Sequence, residues 1–229
     1  MKMLVIACRV LKNELLAVDA PGACFEFLEQ GLHRTPNKMP QAIQEIIHQA
    51  GDDIDYILLG YGACGSGILG VKAGKQPVVI PRAHDCISFW LGSAEAHRKE
   101  HEKAPGTYYL NKGWIDEAKS PLGSFAEYTE RYGRETAEWV ISEMFKNYTR
   151  VALVDTGTYD PAVYREHARA NAAFLKVDYE EIKGSLSLFK KMVGGKWSED
   201  DFIILQPGEE VTQEIFLSLI GGGSNLPAR

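Results

Sequence analysis

The chain has 229 residues, of which 45% are hydrophobic and 24% are charged, and its formal net charge is −6. This composition is typical of a globular protein with a substantial core, and the acidic balance gives no evidence of the basic field that nucleic-acid binding requires. The apolar run near the start, MLVIA, is too short for a signal sequence or a membrane span. We therefore expect a cytoplasmic protein with no nucleic-acid and no membrane partner, in which the four cysteines stay reduced.

Strand-like and helix-like segments alternate in the first half of the chain. Apolar or alternating patterns predict strands over residues 3–7, 23–33, 55–62 and 76–83. Helical spacing of isoleucines predicts a helix over residues 39–51, and the segment 86–104 also has a helical pattern. The segment 106–114 predicts a short extended stretch.

The second half continues the alternation after Pro121 and Gly123, which mark the predicted internal boundary. A long helix is predicted over residues 124–148, with Ser124 as its N-cap and Glu127 completing a capping box. The further predicted strands cover residues 150–157, 176–181 and 201–208. The further predicted helices cover residues 160–175, 182–194 and 210–220, and the first of them begins with an Asp160 N-cap and Pro161.

This alternation of strands and helices predicts an α/β fold with mainly parallel sheets covered by helices. Uninterrupted apolar strands are typical of sheets buried on both faces. Two Rossmann-like lobes fit the alternation, an N-terminal lobe over residues 1–120 and a C-terminal lobe over residues 121–220. The tail over residues 221–229 is predicted to be flexible. In such sheets ligands bind at the carboxyl ends of the strands, so we expect the site at that edge.

Three cysteines and a histidine follow the predicted strands of the first lobe. Cys8, Cys64 and Cys86 come after three of these strands, and His33 ends a fourth. Parallel connections bring the carboxyl ends of strands to one edge, so these side chains are expected to converge. Cys24 begins a strand-like segment and is expected at the opposite end.

Thiolates combined with imidazole suit zinc, and three protein ligands with a fourth position open are typical of a catalytic zinc site. The sequence thus predicts a metal site of Cys8, Cys64 and Cys86, to which His84 or His33 adds a ligand or orients one. The spacing CxxC is absent, which excludes a zinc finger or ribbon. The alternative is that the cysteines only pack, since cysteine is often buried.

A glycine-rich loop surrounds Cys64 in the stretch GYGACGSG. Glycine permits positive φ and close approach of the backbone to a ligand, so the loop is a candidate cofactor cradle. It lacks the Lys-Ser/Thr pair of a P-loop, and a tight turn between a strand and a helix is the alternative. The candidate cofactor-binding residues are Gly62, Gly65, Ser66 and Gly67.

A second metal-like motif is HRKEH, which starts at His97 and matches the inverted zinc-peptidase pattern H-x-x-E-H. On a helix, His97 and His101 share a face, and Glu100 lies beside them. The surrounding charged residues favour a solvated helix end instead. We therefore expect these histidines to lie outside the site.

Five blocks of the sequence resemble the recurring blocks of a domain-of-unknown-function family of methanogens and other anaerobes. The blocks are ACRVLKNEL, GLHRTP, ILLGYGACGSG, PRAHDCI and GTYYLNKGW. The resemblance covers most of the first 135 residues and fades after them. Members of that family are often encoded near corrinoid-dependent methyltransferases. The resemblance implies that Cys8, His33, Cys64, His84 and Cys86 lie inside family blocks, whereas the HRKEH histidines fall between them.

The resemblance itself implies no activity, because the family is one of unknown function, but the genes beside which its members are encoded suggest a chemistry by analogy. Zinc-dependent methyltransferases that pass a methyl group from a corrinoid to a thiol use a His-x-Cys pair and a distant cysteine, and zinc lowers the pKa of the acceptor thiol. The pair His84 and Cys86 together with Cys64 is similar in content, although here the distant cysteine lies upstream. This predicts a zinc-binding protein of anaerobic one-carbon or corrinoid metabolism, with methyl transfer involving a thiol or a corrinoid.

Two alternatives to this enzyme stay open. A non-catalytic carrier or chaperone would deliver a corrinoid or a metal to a partner, either a corrinoid protein or a methyltransferase, through the same residues. A racemase would use two cysteines that flank a small-molecule substrate, one in each lobe. Because no cysteine follows Cys86, the second lobe offers none, which counts against the racemase.

Overall fold

The computed structural model describes residues 1–221, so the predicted tail lies outside the described residues except for its first position. The strands are β1 (Met3–Cys8), β2 (Ala23–Leu28), β3 (Tyr56–Gly60), β4 (Val78–Pro81), β5 (Thr107–Leu110), β6 (Arg150–Asp155), β7 (Asp178–Lys183) and β8 (Phe202–Leu205). They form two separate sheets within the described part of the chain.

The α-helices are α1 (Lys12–Ala17), α2 (Met39–Gln49), α3 (Cys86–Leu91), α4 (Ala94–Lys103), α5 (Lys112–Glu117), α6 (Pro121–Tyr132), α7 (Arg134–Phe145), α8 (Pro161–Leu175), α9 (Ser187–Val193) and α10 (Gln213–Gly221). Short 3-10 helices lie at Arg9–Leu11, Gln30–Arg34, Pro36–Lys38 and Cys64–Ser66. Across residues 1–221, no helix combines the length and the apolar character that a membrane crossing requires.

The first sheet has the strand order β2-β1-β3-β4-β8. Its first four strands run parallel, which confirms the predicted mainly parallel α/β architecture. The strands β1, β3 and β4 are almost wholly buried, as expected for a sheet covered on both faces. The exception is β8, which pairs antiparallel to β4 at the edge of the sheet, where Ile204 is partly exposed.

The second sheet has the order β5-β6-β7 and is parallel throughout. Its central strand β6 is buried and supplies Val151 and Leu153 to a core that also contains Leu110 of β5. Helix α8 completes this core with Ala168 and Ala172, whose small side chains let the helix pack closely on the sheet.

The chain divides into two compact units, one formed by Met1–Arg98 with the described residues from Ser185 onward, and the other by Lys99–Gly184. This division differs from the predicted lobe boundary at residue 120. The strand β5 lies before that boundary but pairs with β6, and β8 lies after it but returns to pair with β4. Strand pairing, rather than position along the chain, therefore decides which unit a segment joins.

The two helix starts that were predicted from capping residues have different outcomes. Asp160 caps α8, since its side chain accepts a hydrogen bond from the Ala162 N–H, and Pro161 occupies the first turn as predicted. The long helix predicted from Ser124 is wrong. The N-cap is Ser120, and Gly133, with φ of +81°, ends α6 before α7 begins.

Three other predicted segments are shorter than the pattern suggested. The strand predicted over residues 23–33 ends at Leu28, and His33 lies in a 3-10 helix. The extended stretch 106–114 gives way to α5, because the Asn111 side chain accepts a hydrogen bond from the Trp114 N–H and caps that helix. The helical segment predicted over residues 86–104 is divided in two, because Gly92, with φ of +91°, ends α3 before α4 begins.

Candidate functional site

The carboxyl edge of the first sheet contains a topological switch point between β1 and β3. From β1 the chain crosses to β2 on one side, and it returns to β3 on the other. Cys8 is the last residue of β1, and Cys64 follows the end of β3 in a 3-10 turn. Ligands of open parallel sheets bind in the crevice at such a point, so these two cysteines flank a favourable position.

The loops that follow β3 and β4 are held together by backbone hydrogen bonds. The Ala63 N–H donates to the Ala83 carbonyl at 3.0 Å, and the Cys64 N–H donates to the His84 carbonyl at 3.2 Å. A Cβ atom on Gly62 would lie 2.7 Å from both the Ala83 carbonyl oxygen and the Asp85 nitrogen. Gly62 therefore permits an approach that no other residue would, and it brings Cys64 next to the segment that contains Cys86.

The thiols of Cys8, Cys64 and Cys86, here called the thiol cluster, lie close enough to influence one another electrostatically. Burial raises the pKa of Cys64 to about 12, and the charges of Asp85 and Cys8 add to the shift. Burial, Asp85 and the other two thiols raise the pKa of Cys86 well above its usual range. Without a cation nearby, the thiols of Cys64 and Cys86 are therefore protonated at pH 7.

Asp85 places a carboxylate beside the thiol cluster. It caps α3 by accepting a hydrogen bond from the Ile87 N–H at 2.9 Å, and it accepts another from His84 Nδ1 at 3.1 Å. His97 Nδ1 lies 3.6 Å from its other oxygen. Burial opposes ionisation, but the His84 hydrogen bond, the charges of the two histidines and the Ile87 N–H outweigh it and lower the pKa of Asp85.

His97 belongs to this site, although its sequence context predicted a solvated position. Only 4% of its surface is exposed, and its Nδ1 atom lies 3.1 Å from the Ser88 hydroxyl. Glu100 of the same motif pairs instead with Arg150 at 2.7 Å, so the peptidase arrangement does not form. Gly92 ends α3 before α4 begins, and the charged residues around His97 do not reveal that its side chain is buried.

Both histidines that were proposed as additional ligands lie near Asp85. The His84 side chain is about one-third exposed and donates directly to the carboxylate. Partial desolvation lowers the pKa of His33, while the charge of Asp85 opposes the shift. The choice between the two histidines therefore stays open.

The turn around Cys64 has an unusual backbone. Cys64 and Ser66 have φ angles of +44° and +73°, which non-glycine residues adopt rarely and at some cost in free energy. Gly65 lies between them in the same 3-10 turn. A Cβ atom on Gly67 would lie 2.5 Å from the Met39 sulfur, so the absence of a side chain serves internal packing. That these residues also contact a cofactor stays a prediction.

The described side chains of the thiol cluster and its neighbours do not form a metal centre. Among the described residues, no three His, Cys, Asp or Glu side chains are arranged so that they could hold one ion. Cys24 lies apart, as expected: it is exposed and pairs with Leu4 in the amino half of β1, whereas Cys8 ends that strand.

Fold and site together define an α/β protein with thiols, histidines and a carboxylate gathered at the switch point of a mainly parallel sheet. The chain belongs to DUF1638, a family of proteins of unknown function, whose model matches residues 27–193. The match includes His33, Cys64 and the His84–Cys86 segment, begins after Cys8, and continues well beyond residue 135, where the resemblance was expected to fade. Comparison with curated proteins and with solved structures found no match.

Proposed function

We propose that the protein binds one zinc ion, or another soft divalent metal, through Cys8, Cys64 and Cys86, with His84 or His33 completing or orienting the ligand set. The observation that carries this proposal is the convergence of three partly buried thiols at the switch point of the first sheet. Thiolate and imidazole are the ligands that zinc prefers in proteins.

The raised pKa values of Cys64 and Cys86 count against the other uses of cysteine. A catalytic nucleophile or a dithiol redox pair needs a lowered pKa, whereas burial raises the pKa of both Cys64 and Cys86. A divalent cation reverses this balance because it stabilises the thiolates directly. The carboxylate of Asp85 accepts a hydrogen bond from His84 Nδ1 and so orients its imidazole.

Metal loading requires side chains of the cluster to move, because no three of the described His, Cys, Asp and Glu side chains share a position for one ion. The turn that contains Cys64 is the element we expect to change. Its positive φ angles at Cys64 and Ser66 store strain that a different turn conformation would release.

We further propose that the bound metal serves anaerobic one-carbon metabolism, in methyl transfer that involves a thiol or a corrinoid. The support is the likeness of the His84, Cys86 and Cys64 set to the ligands of zinc-dependent methyltransferases. A bound zinc supplies the positive charge that holds an acceptor thiol as its thiolate. The loop of Gly62, Gly65, Ser66 and Gly67 is the backbone segment proposed to approach the substrate or the corrinoid.

The metal proposal is tested by elemental analysis of protein purified without oxygen. We expect about one zinc per chain, and a loss of most of it in the single variants Cys8→Ser, Cys64→Ser and Cys86→Ser. Cys24→Ser is the matched control, because Cys24 is exposed and lies apart from the cluster. Zinc below about 0.2 equivalents in folded protein after reconstitution would contradict the proposal.

A second assay separates an enzyme from a carrier. The zinc-loaded protein is incubated with methylcobalamin and a small thiol, and the methylated thiol is measured together with the visible spectrum of the corrinoid. Methylated thiol that requires zinc supports methyl transfer. A cobalamin band that stays with the protein, without methylated thiol, indicates a non-catalytic carrier that delivers the corrinoid to a methyltransferase.

A further inference from the structure

A cavity of about 520 Å³ lies within the unit Lys99–Gly184, where α6 and α7 meet the end of α8. Its walls contain two pairs of aromatic rings. The ring centroids of Phe125 and Phe174 are 5.1 Å apart, and those of Phe145 and Tyr148 are 5.5 Å apart. Sites for small organic ligands in proteins have this size and this largely aromatic lining, so the cavity is a candidate binding site.

The charged residues of the cavity lie toward its two ends, along α7. Arg134 and Glu138 line it in the first half of this helix and pair with each other at 2.8 Å, so their charges balance. Lys146 lines it just after the helix ends, which is about 18 Å along the helix axis from Arg134. Lys176 lines it directly after α8.

Lys146 and Lys176 make one end of the cavity positive. The Asp178 N–H donates to the Thr149 carbonyl at 3.1 Å, which brings the end of α8 next to the segment that follows α7. Lys146 forms an exposed ion pair with Glu143 at 2.9 Å, and such pairs contribute little free energy. Within the described part of the chain, the Lys176 side chain has no hydrogen bond or ion pair. An acidic chain therefore presents two cations at this end of the cavity.

Lys176 also has a backbone conformation that favours glycine. It ends α8 with φ of +58° and ψ of 43°, in the left-handed region. Glycine is preferred at this place in a helix because a side chain makes the conformation unfavourable. A lysine here gives up that stability and adds a cation to the lining of the cavity. A backbone outlier of this kind points to a role for the side chain.

We propose that the cavity binds a small aromatic carboxylate, whose rings lie between the two aromatic pairs and whose carboxylate lies beside Lys146 and Lys176. An inorganic anion would leave the aromatic walls unused, and a neutral ring would leave the lysines unused. Flat rings pack favourably against the faces and edges of phenyl groups, and an ammonium group forms a strong hydrogen bond with a carboxylate. This site shares no residue with the proposed metal site and does not depend on it.

The experiment is isothermal titration calorimetry of the full chain with 2-naphthoate, and with 2-naphthamide as a neutral ligand of the same shape. We expect one 2-naphthoate to bind per chain and 2-naphthamide to bind about tenfold more weakly, because the hydrogen bonds to a charged acceptor are lost. Lys176→Gly should also bind 2-naphthoate about tenfold more weakly, while its melting temperature should equal or exceed that of the wild type, since glycine favours the observed backbone. The matched control Lys196→Gly, which removes an exposed lysine of the other unit, should keep the wild-type affinity.

A variant that fills the cavity tests where the ligand binds. Ser142 lines the cavity and is exposed, so Ser142→Phe should fold and should abolish the binding of 2-naphthoate. Thr136→Phe, at an exposed position of α7 outside the cavity lining, is the matched control and should bind as the wild type does.

The opposite results would overturn the proposal or one of its parts. Wild-type protein that shows no saturable binding of 2-naphthoate would overturn the site. Equal affinities for 2-naphthoate and 2-naphthamide would overturn the role of charge, and unchanged affinity in Lys176→Gly would show that this lysine does not contact the ligand. Binding retained by Ser142→Phe would overturn the location. The wild-type titrations decide the first two points even if a variant does not fold.

Discussion

Asp85 connects more parts of the candidate site than any other residue described above. Its side chain caps α3 and contacts His84 and His97, and its backbone lies against Gly62. Its charge also acts on Cys64, Cys86 and His33. A carboxylate in this position holds the imidazoles in one orientation and keeps the metal-free thiols protonated, so it supports the site without being a proposed ligand.

Gly62 offers a direct test of how the two loops of the site are assembled. We expect Gly62→Ala to lower the free energy of unfolding by about 3 kcal/mol, because its new Cβ atom would meet backbone atoms that cannot move independently. The same variant should lose zinc, since Cys64 would shift away from the segment of Cys86. Urea denaturation and metal analysis measure the two effects.

The control for that variant is Gly123→Ala in α6. A Cβ atom there would lie 3.7 Å from the Ser120 hydroxyl, which is an ordinary contact, and alanine favours a helix over glycine. This variant should be as stable as the wild type or more stable by about 0.5 kcal/mol. A Gly62→Ala protein that matched it in stability and zinc content would show that the loops do not approach as closely as described.

At the scale of elements, the start of α6 shows how a plausible capping pattern can point to the wrong residue. Ser120 has extended backbone angles and accepts a hydrogen bond from the Gly123 N–H, whereas Ser124 already lies within the helix. We expect Ser120→Ala to lower the free energy of unfolding by about 1 kcal/mol, because a helix N–H loses its partner. Thermal or urea unfolding measures the loss.

Ser124→Ala is the matched comparison, since it removes the hydroxyl of the residue that the sequence pattern favoured. Alanine is the better helix former, so this change should alter the stability by less than about 0.5 kcal/mol. A larger loss for Ser124→Ala than for Ser120→Ala would place the helix start where the pattern predicted it and would contradict the observed cap.

Sequence patterns predicted most elements because strand burial and helix capping are local signals. The apolar run of β1, the helical spacing in α2, and the Asp160 and Pro161 start of α8 each depend on neighbouring residues alone. The direction of β8 and its return to the first sheet depend on a partner strand far along the chain. No local pattern encodes that choice.

The features of the candidate site also divide into those that the sequence predicts and those that it does not. The prediction that Cys8, Cys64 and Cys86 lie at one edge of the first sheet follows from one rule, that parallel strands share a carboxyl edge. The burial of His97 follows from packing, as does the lack of a partner for the Tyr61 hydroxyl within residues 1–221. Nothing in HRKEH shows that His97 is buried, and the apolar run that ends at Tyr61 predicts burial but not whether its hydroxyl has a partner.

At the scale of the whole molecule, the unit Lys99–Gly184 is continuous in sequence, whereas the other unit is assembled from two separated segments. Its parallel sheet has a core of its own, and Arg150, which is buried, pairs with Glu100 and Glu180 inside the same unit. Continuity, a separate core and internally satisfied charges are the features that let a segment fold alone.

We therefore expect the segment 94–184, which begins at Ala94 so that α4 stays whole, to fold when it is produced alone. Its circular dichroism should show helix, and its thermal unfolding should be cooperative. Leu153→Ala in this segment should abolish the transition or lower its midpoint strongly, because truncating a fully buried leucine costs about 2–5 kcal/mol, a large share of the stability of so small a domain. Val163→Ala, on an exposed side chain of α8, should leave the midpoint nearly unchanged. If the isolated segment showed no cooperative transition while the full chain did, the second sheet would depend on residues outside this unit, and its own core would not suffice to specify its fold.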